Sequence, residues 1–334
     1  MYLCTMSKMD EIQAPVANDM AKFQGHFKSA MRTEVPLLDR VTRYIIRRKG
    51  KQMRPLFVFL TARVILEKKS SALPERSHIA ASLIELLHTA TLVHDDVVDE
   101  SSLRRGFFSI QALWKKKIAV LVGDYLLSKG LLMAVDAEAY DLLKITSEAV
   151  RQMSEGELLQ IEKARRLDIT EEVYFDIIQR KTASLIAACC ACGAASVSND
   201  AETTKNMKRF GELVGLAFQI KDDLLDLGDG ERIGKPTGGD IRERKMTLPL
   251  IHTLNKSTPS ERRRLIRLVK YQNHKDDAVQ EVMDAIIDGP GMDYARKKMT
   301  ELRDEAIGLL AVAKDSEAKT ALVNLVDYTI ERKR

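Results

Sequence analysis

Proline and glycine are scarce in this chain, eight and 17 among 334 residues, and aromatic side chains make up only 5%. So few breakers exclude a sandwich of many short strands, and 45% hydrophobic content excludes a disordered chain. Four cysteines occur: Cys4, Cys189, Cys190 and Cys192. None is spaced with His or a second Cys pair as a metal site requires. Three lie in the apolar run from Ser184 to Ala195 and read as buried free thiols, which suit a reducing compartment.

Charge is nearly balanced, with 53 Lys and Arg against 48 Asp and Glu for a net +5. No long basic tract or repeated basic–aromatic pattern is present, so a nucleic-acid partner is not expected. The runs Arg47-Arg48-Lys49 and Arg332-Lys333-Arg334 read as ordinary helix ends, where cations suit the negative end of the dipole. No run reaches the roughly 18–20 uninterrupted apolar residues that span a bilayer. The first ten residues, MYLCTMSKMD, lack a basic start and an apolar core. A cytoplasmic protein without a transmembrane segment is the expectation.

What is present is helical periodicity, from about Val16 onward. Gly50 ends a first helical region, and Pro55 suits the first turn of the next. Pro74-Glu75 opens a long apolar segment running to Val98, and Gly106 closes the loop after it. Gly123 and Asp124 are expected to introduce another helix, reaching about Val135. Further helices are expected over 138–166, 171–197, 201–227, 244–254 and, in pieces, 259–334. The segment 228–240, GDGERIGKPTGGD, is a glycine-rich loop without the P-loop spacing. No composition shift marks a linker, so residues 1–334 read as one all-α domain.

One internal echo carries the chemistry. Leu87 to Glu100 reads LHTATLVHDDVVDE, and Gly215 to Gly228 reads GLAFQIKDDLLDLG. Each is an apolar helical run ending in DDxxD, giving Asp95, Asp96 and Asp99, then Asp222, Asp223 and Asp226. Residues four apart share a helix face, so Asp95 lies above Asp99 and Asp222 above Asp226. Partly buried, such like charges demand cations. The expectation is two metal sites facing each other across a cavity. Oxygen-only ligands favour Mg²⁺, which completes its octahedron with water and substrate phosphates, and His94 points to another helix face. The substrate should therefore carry a diphosphate.

Direct cations for a diphosphate stand nearby in the chain. Lys51 and Arg54 lie at a helix start, where backbone N–H groups also favour anions. Arg104 and Arg105 follow the first cluster, and Lys181-Thr182 and Lys235 supply more.

These residues resemble the trans-type polyprenyl diphosphate synthases, including the farnesyl, geranylgeranyl and longer-chain enzymes. Five ordered motifs between about Gly50 and Lys245 carry the likeness: GKQMRP, HTATLVHDDVVDESSLRRG, KTASL, FQIKDDLLD and GKPTGGD. One local departure is Phe107-Phe108-Ser109, where relatives often carry a polar stretch with proline. The resemblance implies a helical bundle around a central cavity, the isoprenoid synthase type I fold, and a homodimer built through apolar helix faces. It implies that Lys51, Arg54, His88 and Arg105 bind isopentenyl diphosphate, and that Arg104, Lys181 and Lys235 grip the allylic diphosphate. Asp95, Asp99 and Asp222 would hold Mg²⁺, about three ions per site being the expectation, with Asp96, Asp223 and Asp226 supporting. Thr182 and Gln219 would line the reacting centre.

A class I terpene cyclase would normally carry a different second metal motif in place of the second DDxxD. A non-catalytic subunit of a heteromeric synthase would be expected to lack some of these groups. Product length turns on Thr91 and Ala90, about one turn before Asp95. In short-product relatives a bulky aromatic near here acts as a floor, whereas both residues here are small. An open tunnel and a long product are expected; a short-chain product, with the small residues serving only helix packing, is the alternative.

Overall fold

The computed structural model describes residues 7–48, 50–66, 72–104, 106–166, 169–228 and 237–331, so Cys4, Lys49 and 332–334 lie outside it. By its internal contacts the chain forms two compact units. The first comprises Met1–Glu148, Ala188–Lys208 and Ala313–Leu322, and the second comprises Ala149–Ala187, Arg209–Val312 and Val323–Arg334.

The first unit opens with α1 (Lys8–Gln13), α2 (Ala17–Ala30), α3 (Pro36–Arg47), α4 (Met53–Ile65) and α5 (Glu75–Val98). Ser7 starts α1 with a reciprocal capping box to Asp10, and proline stands in the first turn of α3. A two-residue hairpin, β1 (Leu103–Arg104) against β2 (Phe107–Phe108), separates α5 from α6 (Ile110–Asp136). Next comes α7 (Tyr140–Arg166), which begins in this unit and continues in the second. The core packs α2, α4, α5 and α6 around fully buried Phe23, Phe57, Phe59, Leu83, Ile84 and Leu126. Cys189, Cys190 and Cys192 are buried free thiols, as expected from their apolar run.

Gly123 does not start a helix, contrary to the sequence expectation. It lies inside α6, where a Cβ would collide with the imidazole of His94. The glycine is kept for close approach of α5 and α6, so its helix-breaking tendency is overridden by packing. The break in α6 lies instead at Lys115 (φ 72°, ψ 158°), directly after Trp114, whose ring meets Tyr44 edge-on at 5.1 Å.

No uninterrupted apolar run of membrane length occurs in the sequence, yet among the described residues α6 is long and apolar enough to cross a bilayer by length and composition, with Asp124 and Lys129 interrupting its apolar run. Only a third of that stretch is buried within the chain. Val120, Leu121, Leu131, Leu132 and Val135 form an exposed apolar stripe at helical spacing.

The second unit continues α7 and adds α8 (Glu171–Ile178), a π-helical turn over Gln179–Ala183, α9 (Ser184–Ala195), α10 (Ala201–Asp226) and α11 (Gly239–Arg242). It is completed by α12 (Leu248–Lys256), α13 (Pro259–Tyr271), α14 (Asp276–Ile287), α15 (Gly291–Leu309) and α16 (Glu317–Glu331). Parts of α9, α10 and α16 belong to the first unit. Among the described residues the only strands are those of the hairpin, so the all-α expectation holds.

Candidate active site

The first acidic cluster occupies the last turn of α5. Asp95 is half-buried, Asp96 is buried and Asp99 is exposed as the C-cap, and no basic residue stands in that turn. Carboxylates are unfavourable at the negative end of a helix dipole, so the fold concentrates negative potential here. Lys51 and Arg54 flank the opposite polarity, at the start of α4. The N-cap of α4, Gln52, takes a left-handed conformation (φ 51°), uncommon for a residue other than glycine, and gives no side-chain cap to the first-turn N–H groups.

A pocket of about 120 Å³ in this unit is lined by His88 and Asp96 together with Gln52, Glu85, Leu92 and Val93. His88 is buried. Ala90 is buried and Thr91 half-buried, and neither is among the cavity-lining residues. Leu87, Ala90 and His94 fall on the stripe of α5 that meets Gly123 and Gly130 of α6. The Thr91 hydroxyl donates to the His88 carbonyl at 2.8 Å. Arg105 lies outside the described residues, as does the side chain of Arg104.

The second cluster ends α10 in the same way, again with no basic residue in the last turn. Its three carboxylates do different jobs. Asp222 is half-buried. Asp223 is buried, accepts from Tyr174 Oη at 2.7 Å and from Gln219 Nε2 at 3.0 Å, and Thr182 Oγ1 donates to Gln219 Oε1 at 2.8 Å. Asp226 accepts from the backbone N–H of Gly239 (3.1 Å) and Asp240 (3.0 Å), tying the start of α11 to the end of α10. Burial pushes the Asp223 carboxyl up to about 7, against the lowering effect of the Tyr174 and Gln219 hydrogen bonds.

A second pocket, of about 190 Å³, gathers Lys181, Thr182, Gln219 and Asp223 with Tyr174, Asp240, Lys245 and Thr247. Lys181 is held by Glu157 at 2.5 Å and donates to Gln160 at 3.3 Å. The π turn that carries Lys181 and Thr182 packs tightly on α7, since a Cβ at Gly156 would lie 2.7 Å from the Lys181 nitrogen. Sequence reasoning missed Tyr174, Asp240 and Lys245. Tyr174 carries no local signal, while Asp240 closes the GKPTGGD motif, a signal that could have found it. Lys245 is bound by Glu243 at 2.6 Å and Asp240 at 3.4 Å; these contacts outweigh burial and raise its pKa. Lys235 lies outside the described residues.

Among the described residues no group of three or more His, Cys, Asp and Glu is assembled closely enough to hold a metal alone. Half-exposed oxygen donors on separate helix ends suit a hard cation that keeps most of its shell for water and phosphate.

The polyprenyl synthetase family model matches residues 35–286. The chain belongs to the polyprenyl synthetase family. Like the other polyprenyl synthetases it is a prenyltransferase. It is 35% identical to octaprenyl diphosphate synthase of Escherichia coli (strain K12), over 98% of this chain and 99% of the relative. The crystal structure of a decaprenyl diphosphate synthase from Rhodobacter capsulatus matches with a TM-score of 0.90 at 33% identity, covering 98% and 99% of the two chains. That of a Caulobacter crescentus CB15 polyprenyl synthase, complexed with calcium and isoprenyl diphosphate, matches with a TM-score of 0.88 at 32% identity, covering 98% of each chain. The polyprenyl synthetase match spans both acidic helix ends and every motif from GKQMRP to GKPTGGD.

Proposed function

We propose that this enzyme catalyses the Mg²⁺-dependent head-to-tail condensation of isopentenyl diphosphate with an allylic diphosphate, repeated to a long all-trans polyprenyl diphosphate. The observation that carries the reading is the pair of DDxxD clusters, each at the negative end of a helix. Asp95, Asp99 and Asp222 would hold the Mg²⁺, on the order of three ions per site. When bound, the metal supplies positive charge that stabilises the departing diphosphate. The relatives named for octaprenyl and decaprenyl products support the long-chain reading.

The chain's own residues do the rest. Lys51, Arg54, His88 and Arg105 bind and orient isopentenyl diphosphate. Arg104, Lys181 and Lys235 hold the allylic diphosphate, Lys181 exchanging Glu157 for the phosphate. Thr182 and Gln219 line the reacting centre, and the bonds from Thr182 to Gln219 and from Gln219 to Asp223 fix their orientation. The C–O bond of the allylic diphosphate breaks and the double bond of isopentenyl diphosphate attacks the allylic carbon. A proton is then lost to the released diphosphate. The work is electrostatic, with no protein nucleophile required.

Labelled isopentenyl diphosphate incubated with several allylic primers, with Mg²⁺ or with chelator, tests the reading. Product ladders beyond four isoprene units that vanish with chelator or in Asp95→Ala are expected; turnover indifferent to both would overturn it. The reading extends to a cytoplasmic homodimer. The exposed stripe Val120, Leu121, Leu131, Leu132 and Val135 on α6 is the face a second copy would cover. Light scattering should give a dimer, and Leu121→Glu with Leu132→Glu should give monomers; a monomeric wild type would refute the assembly.

A further inference from the structure

The first unit carries a basic groove that the proposed chemistry does not use. Arg40, Arg43 and Arg47 stand three and four apart along the exposed side of α3, and with Arg48 they line the groove opposite Phe107 and Trp114. Four guanidinium groups face one carboxylate there, Asp39, which pairs with Arg43. Arg47 and Arg48 therefore do more than end a helix.

The groove's aromatic side is held in place. The Arg48 guanidinium sits 3.8 Å from the Tyr44 ring centroid and 4.0 Å from that of Phe107. Tyr44 Oη donates to the Phe108 carbonyl at 2.6 Å. Apolar side chains of the hairpin strands are exposed beside the groove: Phe107 is 48% exposed, Phe108 58% and its cross-strand partner Leu103 59%. Tyr44, Arg48 and Phe107 also line the cavity that holds His88 and Asp96, so groove and cavity share a wall.

We propose that this face docks on an anionic lipid bilayer, with the α3 arginines on the headgroups and the exposed Leu103, Phe107 and Phe108 side chains at the headgroup–acyl boundary. Charge complementarity names the partner: arginines attract any polyanion, but outward aliphatic and aromatic side chains beside them add affinity only where apolar depth lies behind the charge. Leu103, paired across the hairpin with Phe108, has no aromatic face on which a base could stack, which disfavours single-stranded nucleic acid. The cavity mouth then lies beside the membrane, where a product with a diphosphate head and a long apolar tail would partition. That last point rests on the function proposed above; the docking surface does not.

Flotation of the full chain with vesicles tests the proposal. Wild type should float with phosphatidylcholine–phosphatidylglycerol vesicles at low salt, not with phosphatidylcholine alone, and should be released by high salt. The triple variant Arg40→Gln/Arg43→Gln/Arg47→Gln should bind about 100-fold more weakly, from roughly five-fold per arginine near an anionic surface. The corresponding triple Lys variant should bind nearly as wild type, and Phe108→Ser should weaken binding with the arginines intact. Circular dichroism checks that each variant is folded. Vesicle binding unchanged in the triple Gln variant, no binding by wild type, or binding to duplex DNA but not to vesicles would each overturn the proposal. Condensation without vesicles should be unchanged in the triple Gln variant. A chain that floats but lacks condensation activity refutes the enzymatic reading alone; one that condenses but does not float refutes the docking surface alone.

Discussion

Tyr174 donates its phenolic hydrogen to Oδ2 of Asp223 over 2.7 Å, and both side chains are buried. The pair sits one residue from Asp222 and completes the chain of bonds that runs through Gln219 to Thr182. Tyr174→Phe should keep the fold while costing about 1–3 kcal/mol, because a buried carboxylate loses its donor. It should also raise the Mg²⁺ concentration for half-maximal activity, whereas other α8 variants of equal stability should keep the wild-type value. Thermal unfolding and a magnesium titration check this; an unchanged titration would remove Tyr174 from the site.

Asp222 and Asp226 share a motif but should respond differently. Asp226 caps the start of α11 through two backbone N–H groups, so Asp226→Ala should lower stability by about 1–2 kcal/mol. Asp222 is half-buried and caps no helix, so Asp222→Ala should leave metal-free stability within about 0.5 kcal/mol of wild type. Condensation in Asp222→Ala should nonetheless fall about a thousand-fold, the scale set by losing a metal-held charge. Denaturant melts in chelator beside rate assays separate the two; equal destabilisation by both variants would defeat the distinction.

Acid sensitivity should track Asp19. Burial alone would raise this carboxyl, but the bonds from His78 and Arg63 outweigh it and hold it below the ordinary 3.8. Arg63 lies 3.0 Å away and His78 3.5 Å, all three largely out of solvent. As pH falls the unfolded carboxyl binds its proton first, so this contribution is present above about pH 4 and is lost as pH drops through the lower folded value. Asp19→Asn should cost on the order of 3 kcal/mol at neutral pH, and its deficit against wild type should shrink below pH 4. A deficit constant with pH would show that packing, not charge, is at stake.

Chain length should respond to Ala90. It is buried on the stripe of α5 facing α6, five residues before Asp95. Ala90→Phe should shorten the product to about three or four isoprene units, since the ring would lie only about 7.5 Å from Asp95 along the helix. Overpacking should also cost about 1–3 kcal/mol, so product sizing is done at a temperature where circular dichroism shows the variant folded. An unchanged product distribution in the folded variant would mean that Ala90 serves helix packing alone.

Helical period, the duplicated acidic ends and the start of α4 at GKQMRP were legible because each is written in neighbouring residues. What escaped depends on neighbours far away in the chain. Gly123 reads as a breaker, yet it sits inside α6 because His94, 29 positions earlier, needs the space. The three members of the second DDxxD look equivalent in sequence, but Tyr174 and the backbone of Gly239 claim two of them. The apolar stripe of α6 is broken by Asp124 and Lys129, so counting uninterrupted residues overlooked a surface that only the folded helix aligns.

The π turn over Gln179–Ala183 works as a phase shifter. By closing a wider ring it takes up one residue more than an α-turn, so α9 restarts about 100° out of step with α8. Lys181 and Thr182 are the residues displaced by that slip, which turns them toward the cavity while apolar contacts on either side keep their own registers. Deleting one residue there would leave two intact helices and the same composition. It would still rotate either the ligands away from the diphosphate or the whole of α9 off its packing surface, so the enzyme would lose its grip on substrate without losing a single charged group.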